Sequence, residues 1–321
     1  MKRLNEEKII KIFQRQLGNK NFVSEDVETF KIGKTLCVVK LDTLVESTDM
    51  PPRIKLQDVA RKSIVACVSD FASKGVKPLY AVISVTIPKK FSKTKIQNLA
   101  KGFGLASREF NIKILGGDTN EGKELVIQAF LVGISDKIIP RKTAKTDDII
   151  ITSGPFGYSA AGLKILLENK KSDSKFSKKS TDTVFRPRPN LRFGLENHHH
   201  FTSAMDSSDG LSTTLHELAR QSGKKFVITN LPTNIALLEF ARKNRIDVLD
   251  LVFNGGEEYE IVATANPAKL QKIKTSAKRL GILLFEIGFV TAGKGVEYWQ
   301  GNKILRIENR GWMHFRNHGT R

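Results

Sequence analysis

Cysteine is nearly absent: the 321 residues carry two, Cys37 and Cys67. Both lie in apolar surroundings without ligand-like spacing, which argues against a disulfide scaffold or zinc ribbon and fits buried thiols in a reducing cytoplasm. No apolar run approaches the ~20 residues that a membrane-spanning helix needs. The opening MKRLNEEKIIKIFQRQL is charged throughout and lacks the apolar core of a signal peptide. It reads as an amphipathic helix with Leu4, Ile9, Ile12, Phe13 and Leu17 on one face. Aromatics are 8% of the chain and form no ladder among the basic residues, so a base-stacking nucleic-acid groove is disfavoured. Acids are the scarcer charge: 33 Asp and Glu stand against 53 Lys and Arg, a net charge of +20. That excess attracts polyanions without choosing among nucleotide, nucleic acid and membrane surface. The densest basic stretch, ENKKSDSKFSKKS at 168–180, reads as a solvated insertion.

What is present is an alternation of β-branched apolar runs with helical patterns, the mark of a mixed α/β chain. TLCVVKLD (35–42) reads as a strand ending at Asp42. Ala60, Ile64, Cys67, Val68 and Phe71 recur at helical spacing, with Gly75 as the C-terminal cap and Pro78 beyond. A strand at 80–88, a helix over 92–110, a short strand at 112–115 and a strand at 125–134 follow. The polar stretch PRKTAKTDD (140–148) marks a boundary between residues 1–145 and 146–321. The second half reads as strand, glycine turn and helix through IIITSGPFGYSAAGLKILLE, then a basic mobile segment near 169–183. KFVIT, NIALLEFARKN and strands around 259–265 and 282–291 complete it.

The chemistry sits in the acids. Asp42, Asp118 and the pair Asp206 and Asp209 of MDSSDG each stand where an apolar run stops, a place where side chains converge on a cleft. Asp70 flanks the apolar stripe of its helix and can reach the same cleft. Any one of them has a structural explanation as a strand end or helix cap. Together they repel one another unless cations intervene, which points to a divalent metal. All-oxygen ligation favours Mg2+ or Ca2+ over zinc, and Mg2+ commonly bridges substrate phosphates. Gly116-Gly117 before Asp118 exposes backbone N–H groups that can approach a phosphate. SGPFGYSAAGL (153–163) is a glycine turn entering a helix, with neither a P-loop ending nor a dinucleotide fingerprint. The combination points to metal-assisted phosphoryl transfer without a Walker motif.

The order LDTLVES, VARKSIVACVSDFASKGVKPLYAVIS, ILGGDTN, SGPFGYSAAGL, MDSSDGL, GGEEYEIVAT and GWMHF resembles the thiamine-monophosphate kinase family over nearly the whole chain. The resemblance implies a two-domain α/β (α+β) fold shared with aminoimidazole ribonucleotide synthetase. It also implies a homodimer whose N-terminal domains pair through a shared β-barrel. The implied reaction moves the γ-phosphate of ATP to thiamine monophosphate with Mg2+ in the site.

Carried over by motif position, Asp26, Asp42, Asp70, Asp118, Asp206 and Asp209 correspond to the Mg2+ carboxylates. Gly117, Asp118, Arg141 and Ser208 correspond to nucleotide contacts, with Arg141 as a phosphate fork. Asp118, Asp209 and Arg141 are the expected catalytic group. Asp49, Glu257 and Trp312 fall on the thiamine side, where a carboxylate can accept from the aminopyrimidine and an indole can stack on a cationic ring. Three positions depart from the family pattern. Its Gly-Asp-Asp-Ala turn stands here as SEDVE (24–28), its histidine after the first acidic strand is replaced by Asp49, and its Asp after Gly-Gly-Glu is Glu258.

His198, His199 and His200 read as a polar surface loop rather than a metal site, since a run lacks the spacing that puts two imidazoles on one helix face. Two other functions stay open: an ATP-dependent synthetase of the same superfamily with a different small acceptor, and an inactive basic nucleic-acid-binding homologue. No membrane contact is expected.

Overall fold

The structure, a computed structural model, describes residues 5–19 and 22–315. The chain opens on helix α1 (Glu6–Gln16), capped by Asn5, whose side chain accepts from the Lys8 backbone N–H. None of its residues is buried, and Ile12 and Phe13, with Leu17 just beyond it, are exposed. Leu4, expected on the same face, lies outside the described residues.

An N-terminal sheet follows. Strands β1 (Glu28–Ile32) and β2 (Thr35–Val45) form a hairpin, a single turn α2 (Glu46–Asp49) leads to the long helix α3 (Leu56–Lys74), and β3 (Lys77–Pro88) returns. Helix α4 (Lys93–Phe110), β4 (Lys113–Gly122) and β5 (Val126–Ser135) complete the sheet, in the order β1-β2-β5-β3-β4. Only β3 and β4 run parallel, joined through α4 as a βαβ crossover. Alternation assigns the faces. Val38, Leu44, Ala81, Ile83, Ile127, Ala129 and Leu131 turn inward onto α3, whereas Phe30, Leu41, Tyr80, Val82 and Ile134 are exposed on the other side. Among the described residues this sheet is open, with β1 and β4 at its edges, and closes no barrel.

Gly75 ends α3 as expected, at φ 68°, a conformation open to glycine without strain. It is doubly required, because a Cβ there would overlap the His198 side chain.

Two strand expectations are corrected. β2 runs past Asp42 to Val45, so Asp42 is inside a strand. The short strand expected at 112–115 is instead the longer β4, which passes straight through Gly116-Gly117-Asp118. Gly117 lies so close to β3 that a Cβ would overlap the Ile83 carbonyl oxygen, and the register slips one residue at Leu115. The glycine therefore serves strand contact, a packing demand that looks like a turn when only the sequence is seen.

The second sheet holds β6 (Ile149–Thr152) and, after helices α5 (Tyr158–Glu168), α6 (Ser174–Phe185) and α7 (Leu191–Asn197), strand β7 (Phe201–Ser207). Helix α8 (Leu211–Ser222), β8 (Lys225–Ile228), α9 (Ile235–Asn244), β9 (Glu260–Ala265), α10 (Pro267–Leu280), β10 (Phe285–Thr291), β11 (Gly295–Gln300) and β12 (Lys303–Arg306) complete the order β12-β11-β8-β10-β6-β9-β7. Its core packs Phe156, Leu215, Phe226, Phe240, Phe253 and Ile287.

Helix α6 replaces most of the mobile segment expected at 169–183. Asp173 caps it, and Phe176, Ser180 and Val184, spaced four apart, are buried against α5 and the core. The two halves meet along α3, where Gly194 of α7 comes so near that a Cβ would overlap the Ala72 carbonyl. The three histidines form a short 3-10 turn between α7 and β7, with His198 Nδ1 2.8 Å from the Leu195 carbonyl. No described helix is long and apolar enough to cross a membrane.

Candidate active site

The acids are gathered by four elements. β2 alternates, so Lys40 and Asp42, two residues apart, both face α3. On α3, Lys62, Asp70 and Lys74 are spaced by eight and four and share a face. β7 carries Asp206 at its end, with Asp209 just past it. The segment before β1 brings in Glu25 and the buried Asp26. Carboxylate oxygens of Asp26, Asp70 and Asp206 lie within 4.8 Å of one another.

Such crowding is costly, and the site shows how it is met. Burial and the charges of Asp206, Asp26 and Asp42 keep Asp70 well above the ordinary carboxylate range, against the pull of Lys40 at 3.0 Å. Burial and the Asp26 charge raise Asp206 to about 6, although Ser69 Oγ donates to it at 2.7 Å. Asp209 is raised to about 6 by burial, by Asp206 and by Glu6 of α1. Asp42 is raised mainly by burial, with Lys40 and the Thr43 N–H opposing. Lys40 would be lowered by burial, yet Asp70, Asp42 and Asp206 hold it protonated.

Asp26 behaves differently. Burial would raise it, but Lys74 and Arg141 hold it down at about 2. Arg141 donates to Asp26 Oδ1 from Nε (3.0 Å) and from Nη2, and its Nη1 faces Ser24 Oγ at 3.3 Å and Glu217 at 3.7 Å. Its own N–H donates to Glu25. The guanidinium expected to fork a phosphate is thus engaged with Asp26.

A second group lies beside the first. Glu257 Oε1 meets the buried Lys62 ammonium at 2.5 Å, while its Oε2 is buried and unpartnered. Glu257 and Tyr259 both hold positive φ, 66° and 55°, rare for such residues and costing about 1–3 kcal/mol each. The loop is pinned by Glu257 N donating to the Ser208 carbonyl (2.6 Å) and Tyr259 N to that of Ser207 (2.9 Å). Asp49 Oδ2 accepts from the Val45 N–H at 2.7 Å and closes α2, while its carbonyl faces Lys62 at 3.4 Å. Trp312 N–H donates to the Asp209 carbonyl at 2.8 Å, which draws the C-terminal segment over the acids.

Glu258, one of the departures from the family pattern, is buried and accepts from the Gly157 and Ser159 N–H groups at the N-terminus of α5. It is a helix cap, and burial raises it to about 7 despite those donors. The Gly-rich turn before α5 is therefore filled by the protein's own carboxylate.

The expected residues fall into two groups. Asp26, Asp42, Asp70, Asp206, Asp209 and Arg141 share one site, and Glu257, Ser208, Asp49 and Trp312 adjoin it. Gly117 and Asp118 do not join the buried cluster: Asp118 is exposed on the edge strand β4 and accepts from Asn120 Nδ2 at 2.9 Å. Lys40, Lys62 and Lys74 were not anticipated. Their spacing from Asp42 and Asp70 is the signal that reveals them, since each lies on the same face as an acid.

The family models described as AIR synthase related protein, N-terminal domain and C-terminal domain, match residues 24–135 and 145–300. A thiamine-monophosphate kinase of Nitrosopumilus maritimus is 53% identical over 316 residues, covering 98% of this chain and all of the relative. One from Pyrococcus horikoshii is 28% identical and covers 98% of each. A solved complex of AaThiL with AMPPCP and TMP superposes at a TM-score of 0.85, with 25% identity and 97% of each chain covered.

Proposed function

Because the chain belongs to the thiamine-monophosphate kinase family of AIR synthase related proteins, we propose that it transfers the γ-phosphate of ATP to thiamine monophosphate, giving thiamine diphosphate and ADP. The observation that carries this is the 53% identity along the entire relative. The AaThiL complex, which holds an ATP analogue together with TMP, supports both substrates.

A terminal oxygen of the acceptor phosphate attacks the γ-phosphorus in line, and the bond from that phosphorus to the β-bridging oxygen breaks. The attacking oxygen is already anionic, so no strong general base is needed and the work is positioning and charge neutralisation. The donor set fits Mg2+: it is all oxygen, Asp70 and Asp206 oxygens lie within 4.8 Å of each other, and burial with the neighbouring carboxylates raises both above the ordinary range. Asp42, Asp70, Asp206 and Asp209 would hold the metal, which would neutralise charge shared between donor and acceptor phosphates. Asp118 and Gly117, on the exposed edge strand, are proposed to meet the nucleotide from outside the buried cluster. Ser208 is proposed to line the nucleotide side. Arg141 has only Nη1 loosely held, so any phosphate contact is made through that edge.

On the acceptor side, the unpartnered Glu257 Oε2 is suited to accept from the aminopyrimidine amine. Trp312 and Asp49 are proposed to border the same pocket. The exposed apolar face of the N-terminal sheet supports a homodimer built by pairing two such sheets. Buried thiols and use of ATP fit a cytoplasmic enzyme.

Incubation with ATP, Mg2+ and thiamine monophosphate is expected to yield equimolar thiamine diphosphate and ADP. ADP without thiamine diphosphate would assign a different acceptor, and salt-sensitive nucleic-acid binding without turnover would assign the binding role.

A further inference from the structure

The cations around the acids are not equivalent. Lys40 is partly exposed and touches one carboxylate, Asp70. Lys74 is fully buried; its ammonium donates to the Ala204 carbonyl and forms ion pairs with Glu25 Oε2 and Asp26 Oδ2, all at 2.8 Å. The Ala204 carbonyl belongs to β7, two residues before Asp206, so Lys74 also ties the N-terminal segment to the second sheet.

Asp26 is closed from both sides. Oδ2 takes Lys74 and, at 3.3 Å, Ser73 Oγ, while Oδ1 takes two donors of Arg141. A divalent ion binding there would have to displace a buried ammonium or guanidinium from its carboxylate partner, leaving that cation unpaired in the interior. Asp70 and Asp206 carry no such burden. Their partners are a partly exposed lysine and a serine hydroxyl, so neither carboxylate is closed by a buried cation.

We infer that Lys74 is a built-in cation standing where a metal ion would otherwise bridge Glu25 and Asp26. Asp26 then anchors Lys74 and Arg141 and is not a metal ligand, and the metal is confined to the carboxylates of Asp42, Asp70, Asp206 and Asp209. This deepens the kinase reading above and rests on it for the presence of metal, but it is read by counting ions rather than by turnover.

Mn2+ is titrated into the full chain with AMPPCP present, and free Mn2+ is followed by electron paramagnetic resonance. Lys74→Met is expected to bind one more Mn2+ per chain than the wild type, and the double variant Asp26→Asn with Lys74→Met to return to the wild-type number. Equal numbers in wild type and Lys74→Met overturn the inference while leaving the kinase reading intact. No Mn2+ bound to wild type overturns both. Should the variants not fold, anomalous scattering from Mn2+-soaked wild-type crystals decides: peaks at Asp70 and Asp206 with none at Asp26 support it, and a peak at ligand distance from Asp26 overturns it.

Discussion

The Lys62 ammonium meets the Glu257 carboxylate at 2.5 Å, across 195 positions of sequence and between the two halves of the molecule. One carboxylate oxygen is spent on that ion pair, which fixes where the other points. Replacing Lys62 by Met frees the Glu257 side chain in a loop already held at positive φ. The expected outcome is a KM for thiamine monophosphate raised about tenfold, equal to about 1.4 kcal/mol, with the KM for ATP little changed. Lys62→Arg should recover part of the loss. A rise in both KM values together would mean that the pair only holds the fold. Steady-state kinetics with each substrate varied separately makes the distinction.

The buried acids carry the opposite balance of stability and activity. Asp206→Asn removes one of the charges that repel in the metal-free cluster while keeping its shape and its bond from Ser69. The metal-free variant is therefore expected to melt no lower than the wild type. Turnover should fall by about 10²–10³, the usual cost of losing one preorganised electrostatic group. Added Mg2+ should raise the wild-type melting temperature more than that of the variant. Calorimetry with and without Mg2+, beside a turnover assay, checks both halves. A variant that keeps full turnover removes Asp206 from the metal site.

The outline of this site was legible in sequence because its acids recur in a fixed order within specific motifs, and Gly75 and Pro78 bounded α3 correctly. The lysines were not, because a lysine near an acid is most often solvated surface, and only the shared face of β2 or α3 shows that Lys40 and Lys74 turn inward. β4 (Lys113–Gly122) outruns the short strand expected at 112–115 for a related reason. Gly-Gly-Asp is strong turn chemistry, but the close approach of β3 sets a tertiary demand that no local signal carries. The basic serine segment hid α6 in the same way, since Phe176 and Val184 are only two apolar anchors among polar neighbours.

Stability should fall with rising pH through one identified group. Glu260 lies against β6, accepting from Ser153 Oγ at 2.5 Å and Asn190 Nδ2 at 2.7 Å, and burial raises it from 4.5 to about 8. A carboxyl with a raised folded pKa binds protons more tightly in the native state. Its contribution is fully present below pH 4.5 and is lost as pH rises through about 8. Glu260→Gln keeps an oxygen for both donors and cannot ionise. Its melting temperature should vary less between pH 5 and 8.5, and at pH 8.5 it should exceed the wild type by roughly 2–4 °C per kcal/mol recovered. Thermal melts across that range test the sign directly, and equal slopes for the two proteins would refute it.

The outer face of the N-terminal sheet supplies the last prediction. Phe30, Leu41, Tyr80, Val82 and Ile134 stand exposed on neighbouring strands, opposite the face that packs on α3. Single exposed apolar residues are ordinary, but a continuous sheet face of them is a surface awaiting a partner. Pairing two such faces related by a twofold axis puts each residue against its counterpart or a near neighbour, so one substitution counts twice. Val82→Lys places two like charges in that interface without touching the buried face or the acids. The wild type is expected to sediment as a dimer at micromolar concentration and the variant as a monomer, with the far-ultraviolet circular dichroism unchanged. A wild type that sediments as a monomer would leave this sheet face unpaired and exclude the homodimer.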